Sequence, residues 1–273
     1  MRILLTVAYD GTAYHGWQVQ AHEDATIEGV LNAALHELTG EDIAVIGASR
    51  TDAGVHAKGN LCVFDTSSTI PPDRFTPALN SILPPDIRIT DSVQVEDDFH
   101  PRHIDCKKTY CYRFYHGEIC PPTERLYRHH VYGPIDTGAM SEAAGFFRGE
   151  HDFAAFCSAG SQAETTVRTI YDVRVEAYPV GSSAGAAAGG GHGDQDGASS
   201  DEYIDIYITG SGFLYNMVRI IAGTLLEVGR GRITPADIPG VIDSLDRSKS
   251  GPTLPACGLS LEKYILKNTD QTS

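Results

Sequence analysis

The chain has 273 residues, of which 41% are hydrophobic and 21% are charged, and this composition is typical of a globular protein with one large domain or two modest ones. It contains no run of about 18 apolar residues and its first residues lack a signal-peptide pattern, so we expect neither a membrane span nor secretion. The net charge of −15 argues against a nucleic-acid partner, which normally requires a basic surface.

The first half of the chain alternates between strand-like and helix-like patterns. Apolar residues at helical spacing, among them Ile27, Leu31 and Leu35, give one segment an apolar face. In chain order the patterns predict a strand at 2–8, a helix at 27–38, strands at 43–47 and 60–65, a helix at 73–83 and a strand at 87–95. This β-α-β-β-α-β order is that of a ferredoxin-like unit.

The second half repeats this plan. Its patterns predict a strand at 107–116, a helix at 136–148, strands at 168–178 and 203–209, helices at 214–228 and after Thr234-Pro235, and a strand at 259–266. We therefore predict an α+β protein with two ferredoxin-like (βαββαβ) halves, an N-terminal domain at 1–104 and a C-terminal domain at 105–273.

Residues 181–200 depart from this pattern because most of them are Gly, Ala or Ser. Such a segment cannot bury enough apolar surface to offset the entropy lost on ordering. We expect a flexible loop between two strands of the second half, and a frayed polar tail after Lys267.

The six cysteines never occur as C-x-x-C, so the sequence offers no zinc-type pair of ligands. Without a secretory signal, we expect reduced thiols and a cytoplasmic protein. His100 and His103 lie near several aspartates, but no H-E-x-x-H or comparable motif accompanies them, and we expect no metal.

Positive charge is clustered in spite of the acidic total. The basic segments are Lys107-Lys108, residues 125–130 and Arg230-Gly231-Arg232. From the residues alone, a protein without a nucleic-acid partner remains the simpler interpretation, with an acidic surface that favours solubility.

The segment Gly47–Ala57, with the sequence GASRTDAGVHA, carries an arginine, a carboxylate and a histidine between two apolar runs. Glycine-flanked loops between buried strands are places where folds display reactive groups. Asp52 is the candidate reactive residue. For an isolated T-D-A-G sequence, an aspartate that caps a turn would be the simpler interpretation.

Four motifs begin at Tyr9, Arg50, Asp98 and Gly212 and read YDGTxYxGWQxQ, RTDAGVHA, DFHxR with KTYxYR, and GFLYNMVR with AGTL. Together, and in this order, they resemble the motifs of the TruA-type tRNA pseudouridine synthases. The resemblance implies two ferredoxin-like halves that form a continuous, mostly antiparallel sheet around a central cleft. It also implies a homodimer that isomerises uridines 38, 39 and 40 of the tRNA anticodon stem-loop.

The isomerisation of uridine involves no redox change, and no group leaves the molecule, so we expect no cofactor. It does need a nucleophile or base, and the resemblance assigns that role to Asp52. Attack on the ribose, attack on the uracil ring and abstraction of a ribose proton all remain open. Tyr110 is also a candidate catalytic residue: the resemblance implies that it stacks on the flipped base, and that Leu259 packs under the uracil. On spacing alone, Tyr110 would be a core residue.

Arg219 is the second candidate catalytic residue. It lies on a helix face with Tyr215, Ala222 and Gly223, which is not a typical solvated face. A guanidinium there needs a partner because an unpaired buried charge is costly. The family has a basic residue here, and we predict an Arg219–Asp52 ion pair that lowers the pKa of the aspartate. The alternative is an arginine that reaches solvent.

Further residues are candidates for RNA contacts. Arg50 would contact phosphate or take the place of the flipped base, and His56 would contact RNA or make a structural hydrogen bond. The candidates for phosphate contacts are Arg102, Lys107, Lys108, Arg125 and Arg128.

Two other functions remain open at this stage. A non-catalytic tRNA-binding or chaperone protein on the same scaffold would not need Asp52. A hydrolase of glycosidic bonds would generally need two carboxylates, and the sequence pairs no second carboxylate with Asp52.

Overall fold

The structure is a computed structural model that describes residues 1–20, 25–182 and 201–266. Over these residues the chain is an α+β protein with five α-helices and ten β-strands, whose pairing is mixed but mostly antiparallel. The chain divides into two compact units, one formed by residues 1–108 and 260–273 and the other by residues 109–259. The domain boundary at residue 104 stays a prediction.

The first unit has the β-α-β-β-α-β order that the sequence predicted. Its elements are β1 (Arg2–Tyr9), α1 (Ile27–Thr39), β2 (Ile46–Gly47), β3 (His56–Asp65), α2 (Phe75–Ile82) and β4 (Ile87–Val95). β1 lies antiparallel between β4 and β3, and β2 pairs with one end of β3. At the other end of β3, the last strand β10 (Leu259–Leu266) runs parallel, with Ser260 opposite His56.

Both faces of this sheet are covered by apolar side chains. Ile3 lies opposite Phe64, and the Phe64 ring meets Phe75 of α2 edge-on, with ring centroids 5.3 Å apart. On the alternate face, Leu4 and Val63 belong to a second cluster that includes Ala48, Leu61 and the partly buried Ile46, Val95, Phe99, Tyr264 and Leu266. Because Ala48 starts the connection from β2 to β3, the core fixes the base of that connection.

The second unit contains most of β5 (Cys106–His116) together with β6 (His129–Val131), α3 (Thr137–Gly145), β7 (Gly149–Asp152), β8 (Val167–Pro179), β9 (Glu202–Gly210), α4 (Met217–Gly229) and α5 (Ile238–Asp243). Its strands follow the order β5-β9-β8-β7, with β6 parallel to β5. β8 and β9 form a long antiparallel pair in which Val175 faces Ile206. The predicted strands at 168–178 and 203–209 are thus confirmed.

Several predicted elements differ from the structure for local reasons. The strand predicted at 43–47 is wrong over its first three residues, where the Val45 N–H donates to the Asn32 side chain at 2.9 Å. Strands β6 and β7 were not predicted, because three or four residues are too few to show alternation. The helix predicted after Thr234 opens with a 3-10 turn over Pro235–Asp237 before α5 begins.

Parts of two sequence predictions lie outside the described residues. They are residues 183–200 of the predicted flexible loop, and the tail predicted after Lys267. Within the parts of the chain that are described, none of the helices combines the length and apolar character needed to cross a membrane.

Helix α4 is buried on almost every side, and only Arg219 and Glu227 among its residues are not fully buried. It packs against the segment at 251–254 through Gly223, where any Cβ would collide with the carbonyl oxygen of Pro252. The Gly251 N–H donates to the Thr224 hydroxyl at 2.8 Å from the other side. The helix and this segment therefore hold one another in place.

We predict that Gly223→Ala lowers the free energy of unfolding by about 1–3 kcal/mol, because the added methyl group meets backbone that cannot move aside. The matched control is Gly240→Ala in α5, where nothing lies within 4 Å of the new Cβ. There alanine should leave stability unchanged or raise it by up to about 1 kcal/mol. Urea denaturation of both variants measures the difference, and equal stabilities would contradict this packing.

Candidate active site

Asp52 lies on the connection at 48–55 between β2 and β3, and its side chain is half-buried. The Val55 N–H closes a turn onto the Asp52 carbonyl oxygen at 3.1 Å. Gly54 has φ of 76°, a left-handed conformation that suits glycine. Arg50 and Ala53 on either side are exposed. The connection therefore presents a carboxylate at the surface of a turn with fixed geometry.

The segment at 11–17 supports this turn through backbone hydrogen bonds. The Trp17 N–H donates to the Thr51 carbonyl oxygen at 3.0 Å, and the Gly54 N–H donates to the Tyr14 carbonyl oxygen at 3.1 Å. Gly16 has φ of 88°, and a Cβ there would stand 2.7 Å from the Thr51 oxygen and 3.1 Å from the Asp52 carbonyl carbon. Both the conformation and the close approach therefore require glycine at position 16.

A buried network of hydrogen bonds lies beneath the same turn. The hydroxyls of Tyr9 and Thr51 are 2.8 Å apart. The Asn60 amide donates to the Tyr9 oxygen at 3.3 Å and to the Ser49 carbonyl oxygen at 2.9 Å. Burial raises the pKa of Tyr9, so the phenol remains a neutral partner. The network connects β1 and β3 to Thr51 and Ser49, which lie just before Asp52 in the sequence.

His56 makes the structural hydrogen bond that the sequence left as one alternative. The ring is buried, and its Nδ1 lies 3.1 Å from both the Gly11 nitrogen and the Asp10 carboxylate. One nitrogen cannot accept from Gly11 and donate to Asp10 at the same time. A neutral ring that carries its hydrogen on Nε2 accepts the Gly11 N–H at Nδ1. A positively charged ring would instead donate from Nδ1 to the Asp10 carboxylate. Contact between His56 and RNA stays a prediction.

The other basic candidates of the first unit have neighbours within that unit. Arg50 places Nη1 3.5 Å from the Gln18 side-chain oxygen, and Arg102 donates from Nε to the Gly47 carbonyl oxygen at 2.8 Å. The Lys108 ammonium lies 5.0 Å from the centre of a tyrosine ring, that of Tyr264, which is within cation–π range. Lys107 is exposed. Their contacts with phosphate stay predictions.

Tyr110 lies on β5 with only 8% of its surface exposed. Its ring meets Phe213 edge-on, with centroids 5.2 Å apart and planes at 86°. Tyr112, on the same face, is fully buried and donates its hydroxyl to the Pro255 carbonyl oxygen at 2.8 Å. Leu259 is also buried, at the start of β10. The roles of Tyr110 and Leu259 toward a base stay predictions.

Arg219 lies in the first turn of α4 and is half-buried. Its Nε donates to the Leu254 carbonyl oxygen at 2.6 Å, and its Nη1 donates to the Asn216 side-chain oxygen at 2.7 Å. Both acceptors are neutral, so they orient the guanidinium without neutralising its charge. The ion pair between Arg219 and Asp52 stays a prediction.

Arg128 belongs to a buried ionic cluster of the second unit. Its guanidinium donates to Asp205 at 2.7 Å, lies 3.3 Å from Glu124 and stacks 3.7 Å above the Tyr203 ring. Asp205 is 2% exposed, so its charge requires this partner. Arg125 is exposed and donates to a backbone carbonyl three residues before it, that of Pro122. Phosphate contacts by either arginine stay predictions.

Within the described ranges, no three His, Cys, Asp or Glu side chains are arranged to hold a metal ion. His100 and His103 stack with ring centroids 4.0 Å apart. Burial, together with the nearby positive charge, lowers the pKa of His100. All six cysteines are free thiols, and burial raises the pKa of Cys62.

Sequence reasoning missed the residues that hold the two candidate catalytic side chains. Gly16 was only part of a motif, and its positive φ and close approach to Thr51 were not foreseen. Asn216 and Leu254 were not singled out, although Asn216 lies within the motif that contains Arg219. The spacing of an asparagine three residues before an arginine is the one signal in the sequence that could have suggested their contact.

Comparison with known proteins shows the family to which this chain belongs. A family model described as tRNA pseudouridine synthase matches residues 5–103 and 143–265. The tRNA pseudouridine synthase A of Caldicellulosiruptor bescii is 45% identical over 96% of this chain and 98% of its own length. The enzyme of the same name from Ruminiclostridium cellulolyticum is 44% identical over 95% and 97%.

These matches confirm the resemblance carried by the four motifs. The chain belongs to the tRNA pseudouridine synthase A family and is an isomerase that modifies tRNA.

We predict that Gly16→Ala lowers the rate of pseudouridine formation at least about ten-fold, because the methyl group would displace the backbone around Asp52. The matched control is Gly40→Ala at the end of α1. Gly40 also has a positive φ, 73°, but nothing lies within 4 Å of its Cβ position. It should lose about 1 kcal/mol of stability with little change in rate. Equal rates for the two variants would contradict the role of this close approach in positioning Asp52.

Proposed function

We propose that this synthase converts uridine to pseudouridine at positions 38, 39 and 40 of the tRNA anticodon stem-loop, with Asp52 as the nucleophile or base. The observation that carries the proposal is the half-buried carboxylate of Asp52 on a turn braced by Gly16 and by the buried Tyr9–Thr51 contact, in a chain of this family. A turn that only needed a capping aspartate would not need this bracing.

The chemistry fits a single carboxylate. The bond from uracil N1 to ribose C1′ breaks, the base rotates, and a bond from C5 to C1′ forms. The proton on C5 leaves to solvent and N1 gains a proton, so atoms balance without an oxidant, a reductant or a second substrate. A carboxylate can act as the nucleophile in such a sequence or can abstract a proton.

In the proposed site, Arg219 pairs with Asp52 and keeps it ionised. A guanidinium near a carboxylate favours the charged form and lowers its pKa. The contacts of Arg219 with Leu254 and Asn216 support this role, because they orient a positive charge without cancelling it. Tyr110 stacks on the extruded uracil and Leu259 packs under it.

The remaining parts of the proposal follow from the same family. The two halves are ferredoxin-like and border a central cleft, and the enzyme is a cytoplasmic homodimer. A dimer would combine the basic segments of two chains, which suits a protein with a net charge of −15. The proposed contacts with RNA are made by Arg50, His56, Arg102, Lys107, Lys108, Arg125 and Arg128.

We predict that Asp52→Asn lowers tritium release from tRNA labelled at uracil C5 by roughly a thousand-fold or more, because the isosteric amide can neither attack nor accept the proton. Filter binding of the same tRNA should persist. Asp42→Asn is the control, since that carboxylate is fully exposed, and it should release tritium at the wild-type rate.

The same assay separates the alternatives. Release by Asp52→Asn would contradict the role of Asp52. Tight binding without release by the wild type would instead indicate a tRNA-binding protein on this scaffold. Substrates that keep a single uridine at position 38, 39 or 40 test the proposed sites one at a time.

For Tyr110 we predict that the phenylalanine variant binds the anticodon stem-loop within about two-fold of the wild type, because the stacking ring is kept. Tyr110→Ala should weaken binding by about 1–3 kcal/mol, the usual worth of one stacked base. Tyr132→Ala, at a 70% exposed tyrosine, is the control and should change nothing. Similar binding by the alanine and phenylalanine variants, with thermal melting showing both folded, would contradict stacking.

A further inference from the structure

We propose that Asn216 is a positioning residue that sets the direction of the Arg219 guanidinium and, through it, the reactivity of the catalytic carboxylate. This inference rests on the proposed Arg219–Asp52 pair. It concerns a residue that contacts neither the substrate nor the reacting atoms, so its effect must pass through Arg219.

The backbone of Asn216 has an uncommon conformation. It has φ of 60° and ψ of 8°, and it is one of two non-glycine residues with positive φ among those described. A left-handed residue is costly for most side chains and least costly for asparagine among those other than glycine. Asparagine at the start of a helix usually caps a backbone N–H, yet this side chain makes no such bond.

The side chain of Asn216 is used instead to hold Arg219. Its Oδ1 accepts from Nη1 of Arg219 at 2.7 Å, and its Nδ2 donates to the Ser158 hydroxyl at 2.9 Å. The Ser158 N–H donates to the carbonyl oxygen of Tyr215 at 3.1 Å, which anchors the turn from its other side. Both groups of the amide are thus committed, and the orientation of the amide is defined.

Two acceptors on one guanidinium determine its plane. The Leu254 carbonyl oxygen accepts from Nε at 2.6 Å and the Asn216 Oδ1 accepts from Nη1 at 2.7 Å. Rotation of the guanidinium would therefore break at least one of these short hydrogen bonds. The Leu254 carbonyl is itself fixed, because the segment at 251–254 packs against Gly223 of the same helix. Leu254 and Asn216, both neutral acceptors, therefore fix the plane of the guanidinium.

The competing explanation is that Asn216 only shapes the turn before α4. Glycine serves that purpose equally well because it adopts φ of 60° without steric cost. Asn216→Gly therefore tolerates the backbone conformation while removing the side chain with its amide, whereas alanine would add strain. Leu245→Gly is the matched control, since Leu245 is the other non-glycine residue with positive φ and is 51% exposed.

The experiment compares single-turnover tritium release by the wild type, Asn216→Gly and Leu245→Gly. We expect Asn216→Gly to lower the rate at saturating enzyme about ten- to a hundred-fold, with half-saturation within about two-fold of wild type. The acid limb of its rate profile should move to higher pH, because a misdirected Arg219 lowers the pKa of Asp52 less. Leu245→Gly should match the wild type in both readouts.

Ser158→Ala and Arg219→Lys complete the test. Ser158→Ala removes only the hydroxyl that accepts from the Asn216 amide. We expect it to lower the rate less than Asn216→Gly does and to move the acid limb of the rate profile in the same direction. When Arg219 is already replaced by lysine, adding Asn216→Gly should change the rate of tritium release little, because the two residues act as one unit.

Three results would overturn the inference: a wild-type rate and pH profile in Asn216→Gly, a loss that is unchanged in the Arg219→Lys background, or a loss that parallels a fall in thermal stability. Failure of the proposed function would look different. In that case the wild type would release no tritium, or Asp52→Asn would remain active.

Discussion

The position of Asp52 depends on one close approach between backbone segments, that of Gly16 to the Thr51 carbonyl oxygen. The same glycine accepts the Ile27 N–H through its carbonyl oxygen at 3.1 Å, at the first residue of α1. The segment after β1, the start of α1 and the turn that carries Asp52 therefore meet at a residue without a side chain. A substitution there would disturb all three, and no neighbouring residue could compensate because the crowded atoms are backbone.

Charge in this acidic chain is used in two ways. Arg128 is held by Asp205 and Glu124, and Arg2 by the Asp65 carboxylate, so these cations stabilise the fold locally. Arg50, in contrast, is exposed, with its Nη1 3.5 Å from the Gln18 side-chain oxygen. RNA binding requires cations that can replace the counterions of phosphates, and exposed cations can reach phosphates that cations buried in the fold cannot. Net charge alone was therefore a poor guide to the partner.

The long elements could be predicted because burial imposes a period on them. Strand β9 alternates isoleucine with polar residues, and α1 repeats apolar residues at helical spacing, and both were found near the predicted bounds. Strand β6 could not be predicted, because its three residues, His129–Val131, pair only where the chain folds back beside β5. Asp52 could be singled out through its motif, but the contact of Tyr9 with Thr51, separated by 42 residues, is visible only in the structure.

The proposed pairing places opposing demands on Arg219. It must keep Asp52 ionised, yet a carboxylate that is bound too tightly loses the reactivity that a nucleophile needs. A second carboxylate beside the guanidinium would compete with Asp52 and raise the pKa of the aspartate. Neutral acceptors avoid this competition, because the Leu254 carbonyl and the Asn216 amide orient the guanidinium without adding a negative charge of their own. Asparagine at position 216 satisfies this condition, and aspartate would not.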